Sequence, residues 1–168
     1  MKFKILWALF CFLISSFLYA DDQNNSQCPA GHADPAAIQI AQGAMDAWFT
    51  GVEKNDLNSV QALFSPQAVI LHSVGEPMTT ADQMKLLVGF HLGGYKFTNF
   101  CAVTIGGDTI VATFASKTFN QDVSKTGLNF LSDSKAYRMV VLQKQSNSWL
   151  IIAYANMNAL TESAKTGT

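Results

Sequence analysis

The sequence predicts a single α+β domain, with helices packed on one face of a curved antiparallel sheet. Three observations carry this. Apolar residues recur at steps of three and four through the first part of the chain, and they alternate at steps of two from Phe97 onward. No internal repeat or second domain interrupts the 168 residues. A chain of this length can bury a sizeable core.

The first twenty residues, MKFKILWALFCFLISSFLYA, stand apart from that domain. Lys2 and Lys4 precede an apolar run from Ile5 to Leu18, and small Ala20 comes just before the polar DDQNNS. This basic, apolar, small-residue order is that of a cleaved secretory signal. A membrane anchor is the alternative, but the run is short for a bilayer span. Cys11 lacks a lipoprotein-type context. The expectation is therefore export to a periplasm or the cell exterior, with no membrane association after cleavage.

Loss of residues 1–20 leaves nine cations against twelve anions. The remaining chain is mildly acidic and has no basic cluster for a phosphate backbone, so nucleic acid is a poor partner. Cys28 and Cys101 remain, and an oxidising compartment would permit them to pair or leave them as two thiols. No metal-ligand spacing and no cofactor motif is present.

Residues 21–35 read as a flexible polar leader in which His32 is solvated. Asp34-Pro35 then gives an N-cap with proline at the first helical position. Ile38, Ala41, Met45, Trp48 and Val52 form one apolar face of the first helix. Asp56 caps a shorter second helix carrying Leu57, Val60, Leu63 and Phe64, stopped at Ser65-Pro66. A strand follows from Ala68 to Val74. Thr80 with Gln83 makes a capping box for a third helix through Met84, Leu87, Val88 and His91, ended by Gly93-Gly94.

The period then becomes two. Strands Phe97 to Ile105 and Thr109 to Phe119 flank the turn Gly106-Gly107-Asp108. A polar passage, NQDVSKTGLNFLSDS, leads to a strand from Ala136 to Lys144. Ser146-Asn147-Ser148 turns the chain into a last strand, Trp149 to Met157. Residues 161–168 form a tail.

Four stretches, in this order and spacing, carry a family resemblance: WFTGVEKNDLNSVQALFSPQAVIL, VTIGGDTIVATF, YRMVVLQKQSNSW and WLIIAYANM. Over residues 36–160 the chain resembles the NTF2-like superfamily, in its SnoaL-like and DUF4440 branch. Histidines common in the closing strand of that branch are Ala153 and Ala155 here. The resemblance implies a cone in which the sheet wraps one long helix and leaves a pocket at the open end, and it implies that dimers through the sheet are common. Members range from ketosteroid isomerases, dehydratases, polyketide cyclases and epoxide hydrolases to binding and assembly modules, so fold alone does not choose a chemistry.

Within that frame His72 falls where the ketosteroid isomerases keep a general-base aspartate. Alternation puts Ile70, His72 and Val74 on one face. An imidazole there could act as base or acid, or bond to a carbonyl or water as a half-buried core group. Trp48 stands where those isomerases have an oxyanion-stabilising tyrosine. An indole N–H donates but is no general acid at neutral pH, so core packing is the better reading.

Arg138, the only arginine in the chain, shares alternation with apolar Val140 and Leu142. It resembles the pocket arginine of calcium/calmodulin-dependent kinase hub domains. Its guanidinium either receives a carboxylate ligand or forms an internal ion pair with Glu76 or Asp46. Tyr137 has the opposite facing. Tyr95, Tyr154 and Asn156 are further candidates for the lining of the cone.

Asp108, Asp122 and Asp133 all fall in turns or polar passages. No strand therefore carries the aspartates of epoxide hydrolases or isomerases. The expected function is binding of a small, largely apolar molecule with a carboxylate or carbonyl, oriented by Arg138 and His72. The alternatives are a lyase or isomerase using His72, and a homodimeric assembly module.

Overall fold

The computed structural model describes residues 28–72, 76–90, 92–120 and 136–157. The expected signal segment, the tail, His91, Val74, Asp122 and Asp133 lie outside these residues. Eight elements follow in order: α1 (Pro35–Glu53), α2 (Leu57–Ala62), β1 (Phe64–Leu71), α3 (Thr80–Leu87), β2 (Leu92–Ile105), β3 (Thr109–Asn120), β4 (Ala136–Gln145) and β5 (Ser148–Met157).

Helix α1 begins as its first residues dictate. The Asp34 carboxylate accepts from the amides of Ala36 and Ala37, and Pro35 occupies the first turn, where an N–H would have no partner. Ala37, Ala41, Met45, Trp48, Phe49 and Val52 are its buried face. Gly51 lies on that face because α2 passes close beneath it: a Cβ there would stand 2.5 Å from Cγ2 of Val60, a fully buried residue. That approach explains a glycine within a helix, a position it ordinarily weakens.

The five strands form one sheet in the order β1-β5-β4-β3-β2. Three of the four pairings are antiparallel, whereas β1 runs parallel to β5, with Ile70 beside Tyr154 and Leu71 beside Ala155. The sheet is therefore mixed, which corrects the wholly antiparallel expectation. The cause is topological: β1 enters the sheet from the α1–α2 hairpin, not through a tight turn from a neighbouring strand. Helix α3 also falls between β1 and β2, so only two helices precede the sheet.

Boundaries shift for local reasons. Ser65-Pro66 does not end a helix but lies within β1, an edge strand that tolerates proline. Helix α3 is capped by Thr79, whose Oγ1 accepts from the Asp82 amide at 3.2 Å, and not by Thr80 with Gln83. Gly94 sits inside β2, which starts at Leu92 rather than Phe97.

Both sheet edges are partly covered. Ile70 and Met78 exchange backbone hydrogen bonds on the β1 side. On the β2 side, Ala102 donates to His32 O at 2.8 Å and accepts from Asp34 N at 3.1 Å. Oγ1 of Thr104 donates to Oδ2 of Asp34 at 2.9 Å. The sulfurs of Cys28 and Cys101 are bonded, with Cα atoms 5.4 Å apart. This covalent and hydrogen-bonded strap holds the start of α1 against β2 and occupies an edge that would otherwise be open to pairing.

Alternation sorts β3 and β4 into two faces. Ile110, Ala112, Phe114 and Ser116 face the helices with Arg138, Val140 and Leu142, their cross-strand partners or neighbours. In β5 the register jumps between Ile151, opposite Leu142, and Ala153, opposite Val141. The extra residue, Ile152, is a bulge that places Ile151 and Tyr154 on the same inner face, both buried. On the outer face Val69, Leu71, Tyr137 and Met157 are exposed. No helix among the described residues is long and apolar enough to cross a membrane.

Candidate functional site

The inner face brings four polar side chains of three adjacent strands together: Ser116 on β3, Arg138 on β4, and Tyr154 and Asn156 on β5. Arg138 lies opposite Phe114 on one side and Asn156 on the other. Its Nε donates to Oγ of Ser116 and its Nη1 donates to the hydroxyl of Tyr154. Cζ stands 5.3 Å from the Phe49 ring centroid and 5.8 Å from that of Tyr154. Ring faces attract a partly desolvated guanidinium.

Arg138 is thus aimed by two hydroxyls and two rings. No carboxylate among the described residues pairs with it; the single ion pair there is Lys85 with Asp82. Neither Asp46 nor Glu76 takes that role. Two of its five N–H donors go to hydroxyls, and the Nη1–Nη2 edge is the geometry that receives a carboxylate by two parallel bonds.

Tyr154 is buried, with 3% of its surface exposed. Burial pushes its phenol above the ordinary range, and the neighbouring Arg138 charge and hydrogen bond pull it back. Trp48 meets the Tyr154 ring edge-on at 4.5 Å and the Phe64 ring at 4.8 Å. At 4% exposure it is a wall of the core behind Tyr154.

Asn156 has the one buried polar side-chain atom, among the described residues, that lacks a partner: Oδ1 accepts nothing. An acceptor left so costs about 1–3 kcal/mol.

His72 follows β1 directly. Since Leu71 pairs with Ala155, it comes one residue further along, level with Asn156. Its Nε2 lies 2.7 Å from Oε1 of Gln83 on α3. Because that oxygen only accepts, Nε2 is the donor in this bond. Gln83, 3% exposed, holds the ring.

Tyr95 is tied down elsewhere. Oγ1 of Thr50 donates to its hydroxyl at 2.9 Å, and the hydroxyl donates to Asp46 O at 3.2 Å. It belongs to the α1–β2 contact, with its ring 5.2 Å from Phe49. Burial raises the pKa of the Asp46 carboxyl, partly offset by a hydrogen bond with Tyr95.

Sequence reasoning missed Ser116 and Gln83. A hydroxyl spaced by two from Phe114 on an apolar strand face was the available signal for Ser116. Gln83 was legible only as a capping residue. Among the described residues no three His, Cys, Asp or Glu side chains gather as a metal ion would need.

No family model matches the sequence, and no curated protein does. Solved structures do. An NTF2-like protein from Cytophaga hutchinsonii superposes with a TM-score of 0.62 at 15% identity, covering 72% of this chain and 97% of that one. The fold is NTF2-like.

Two further structures share the NTF2-like arrangement. A protein assigned as a dehydratase of the NTF2-like family, from Streptomyces avermitilis, has a TM-score of 0.61 at 11% identity over 75% of this chain and 98% of its own. One assigned as a scytalone dehydratase, from Novosphingobium aromaticivorans, has 0.58 at 12% over 74% and 85%. At these identities the likeness speaks for fold alone.

Proposed function

We propose that this protein is an exported NTF2-like domain, of the SnoaL-like and DUF4440 kind, that binds a small, largely apolar molecule through a carboxylate or carbonyl. One observation carries the reading: Arg138 is turned to the inner, aromatic-rich face of the sheet and aimed by Ser116 and Tyr154, with no carboxylate paired to it among the described residues. A guanidinium placed beside apolar surface favours an anion that can form paired hydrogen bonds. Phe49 and Phe97, whose rings pack edge-on at 4.9 Å, would meet the apolar part.

Native mass spectrometry of the protein purified from its own host tests this reading. A co-purified small acid or carbonyl compound, lost on Arg138→Met, is the expected result. Retention of the same molecule by Arg138→Met would remove the guanidinium from the account. Charge-assisted hydrogen bonds are worth about 1.5–3 kcal/mol, so at least a roughly tenfold loss of affinity is expected.

A second reading, proton transfer of the lyase or isomerase type, is favoured by the His72–Gln83 hydrogen bond, which orients an imidazole, a side chain able to move a proton. Two structural neighbours assigned as dehydratases make it worth testing. Turnover on a panel of ketones, enones and hydroxy compounds, abolished by His72→Ala but not by a change at exposed Lys144 outside the site, Lys144→Ala, would favour catalysis. Ligand binding that survives His72→Ala without any turnover would favour the binding module.

A further inference from the structure

We infer that the ligand carries a hydrogen-bond donor next to its carboxylate, as a 2-hydroxy or 3-hydroxy acid does, and that Asn156 reads this donor. The inference rests on the proposed anion site at Arg138. Its own observation is the orphaned Oδ1 of Asn156.

Arg138 and Asn156 are directly opposed cross-strand partners. On neighbouring strands such side chains stand about 4.5–5.5 Å apart at Cβ. In the inferred pose the carbon next to a guanidinium-bound carboxylate is set against the asparagine. The guanidinium supplies only donors, so it cannot recognise a ligand hydroxyl through that group's proton. Asn156 Oδ1 supplies the missing acceptor.

Oδ1 is closed off from water and unbonded, while the residue as a whole keeps part of its surface. The terminal torsion of an asparagine is broad. Turning the amide toward the open side relieves the orphan and points Oδ1 at the ligand. A ligand without the donor leaves this acceptor unmatched. Sites built to hydrogen-bond a group discriminate against analogues that lack it for this reason.

Three probes decide the matter by calorimetric titration of the purified protein: 3-phenylpropanoate, its 2-hydroxy derivative, and 3-phenylpropanamide. The expected order is hydroxy acid, then parent acid, then amide, with the hydroxy acid about fivefold to tenfold tighter than the parent. Asn156→Leu should equalise the two acids while leaving the preference for acid over amide. Removing an unmatched acceptor should also leave the melting temperature of the empty protein unchanged or raised.

Equal affinity of the wild type for both acids, with the amide weaker, would overturn the role of Asn156 and leave the anion site intact. An amide binding as well as the acids would overturn the anion site and this inference with it. If Asn156→Leu fails to fold, the wild-type comparison of the two acids remains decisive.

Discussion

Arg138 and Tyr154 form a donor–acceptor pair across adjacent strands, Nη1 to phenol oxygen, with the guanidinium carbon 5.8 Å from the ring centroid. Each side chain sets the state of the other. The phenol fixes the direction of the charge, and the charge offsets part of the burial that makes the phenol hard to ionise.

That coupling is measurable by ultraviolet titration of the tyrosines. The Tyr154 phenol should ionise above the ordinary phenol value of 10.0, with burial as the larger cause and Arg138 opposing it. A folded pKa above the unfolded one means that stability is complete below the unfolded pKa and lost as pH rises through the folded value. Arg138→Met should raise the Tyr154 transition further. A transition unchanged in that variant would show that the pair is not coupled.

At the other end of α1 the sign reverses. The hydrogen bond from Thr104 is the largest influence on Asp34 and, with those from Ala37 and Ala36, lowers its pKa from 3.8. A lowered folded pKa gives stability that is present above the unfolded pKa and lost as pH falls through the folded value. Asp56 and Asp82 act in the same direction, while half-buried Asp46, with its raised pKa, favours the folded state below the unfolded pKa and loses that contribution as pH rises. Asp34→Asn keeps an N-cap acceptor and removes the titration. Its melting temperature should fall less steeply than wild type between pH 5 and pH 2, roughly the range of carboxylate linkage.

Gly51→Ala tests the crossing of α1 over α2. The new methyl would meet Val60 at 2.5 Å, inside any allowed contact. Overpacking of this kind costs about 1–3 kcal/mol, which denaturant unfolding would resolve. Val60→Ala in the same chain should recover part of that loss. Full stability in the single variant would show that the helices separate easily.

The Cys28–Cys101 bond closes a loop with a sequence separation of 73. On the chain-entropy account it stabilises by about 4 kcal/mol. Cys28→Ser with Cys101→Ser should lower the unfolding midpoint accordingly, and reductant should do the same to wild type. The variant should also aggregate faster, because the Ala33–Ala102 bridge that covers the β2 edge lies beside the bond. Equal midpoints with and without reductant would contradict this.

The outer face bears on assembly. Val69, Leu71 and Met157 are 41–47% exposed on it. The proposed homodimer would bury them, and Leu71→Lys should then halve the mass seen by light scattering. A wild type that is monomeric at every concentration would end the dimer proposal.

Much of this was readable in advance. Asp34-Pro35, the spacing from Ile38 to Val52, and the alternation of Arg138 with Val140 and Leu142 rest on local rules of period and capping, and those rules act on residues near in sequence. The parallel pairing of β1 was not readable, because alternation in one strand says nothing about the direction of its neighbour. The bulge at Ile152 was hidden for a similar reason: uninterrupted alternation assigns Ile151 and Tyr154 to opposite faces, yet both are buried.

The sequence by itself determined the helical start, the strand periods and the presence of one arginine on an apolar strand face, all consequences of local backbone geometry. Tertiary structure alone decided what surrounds that arginine. Ser116, Tyr154 and Phe49 come from three distant segments, and only the pairing of β3, β4 and β5 beneath α1 brings them to it. Partners of a charge are set by strand register and helix docking, which are non-local.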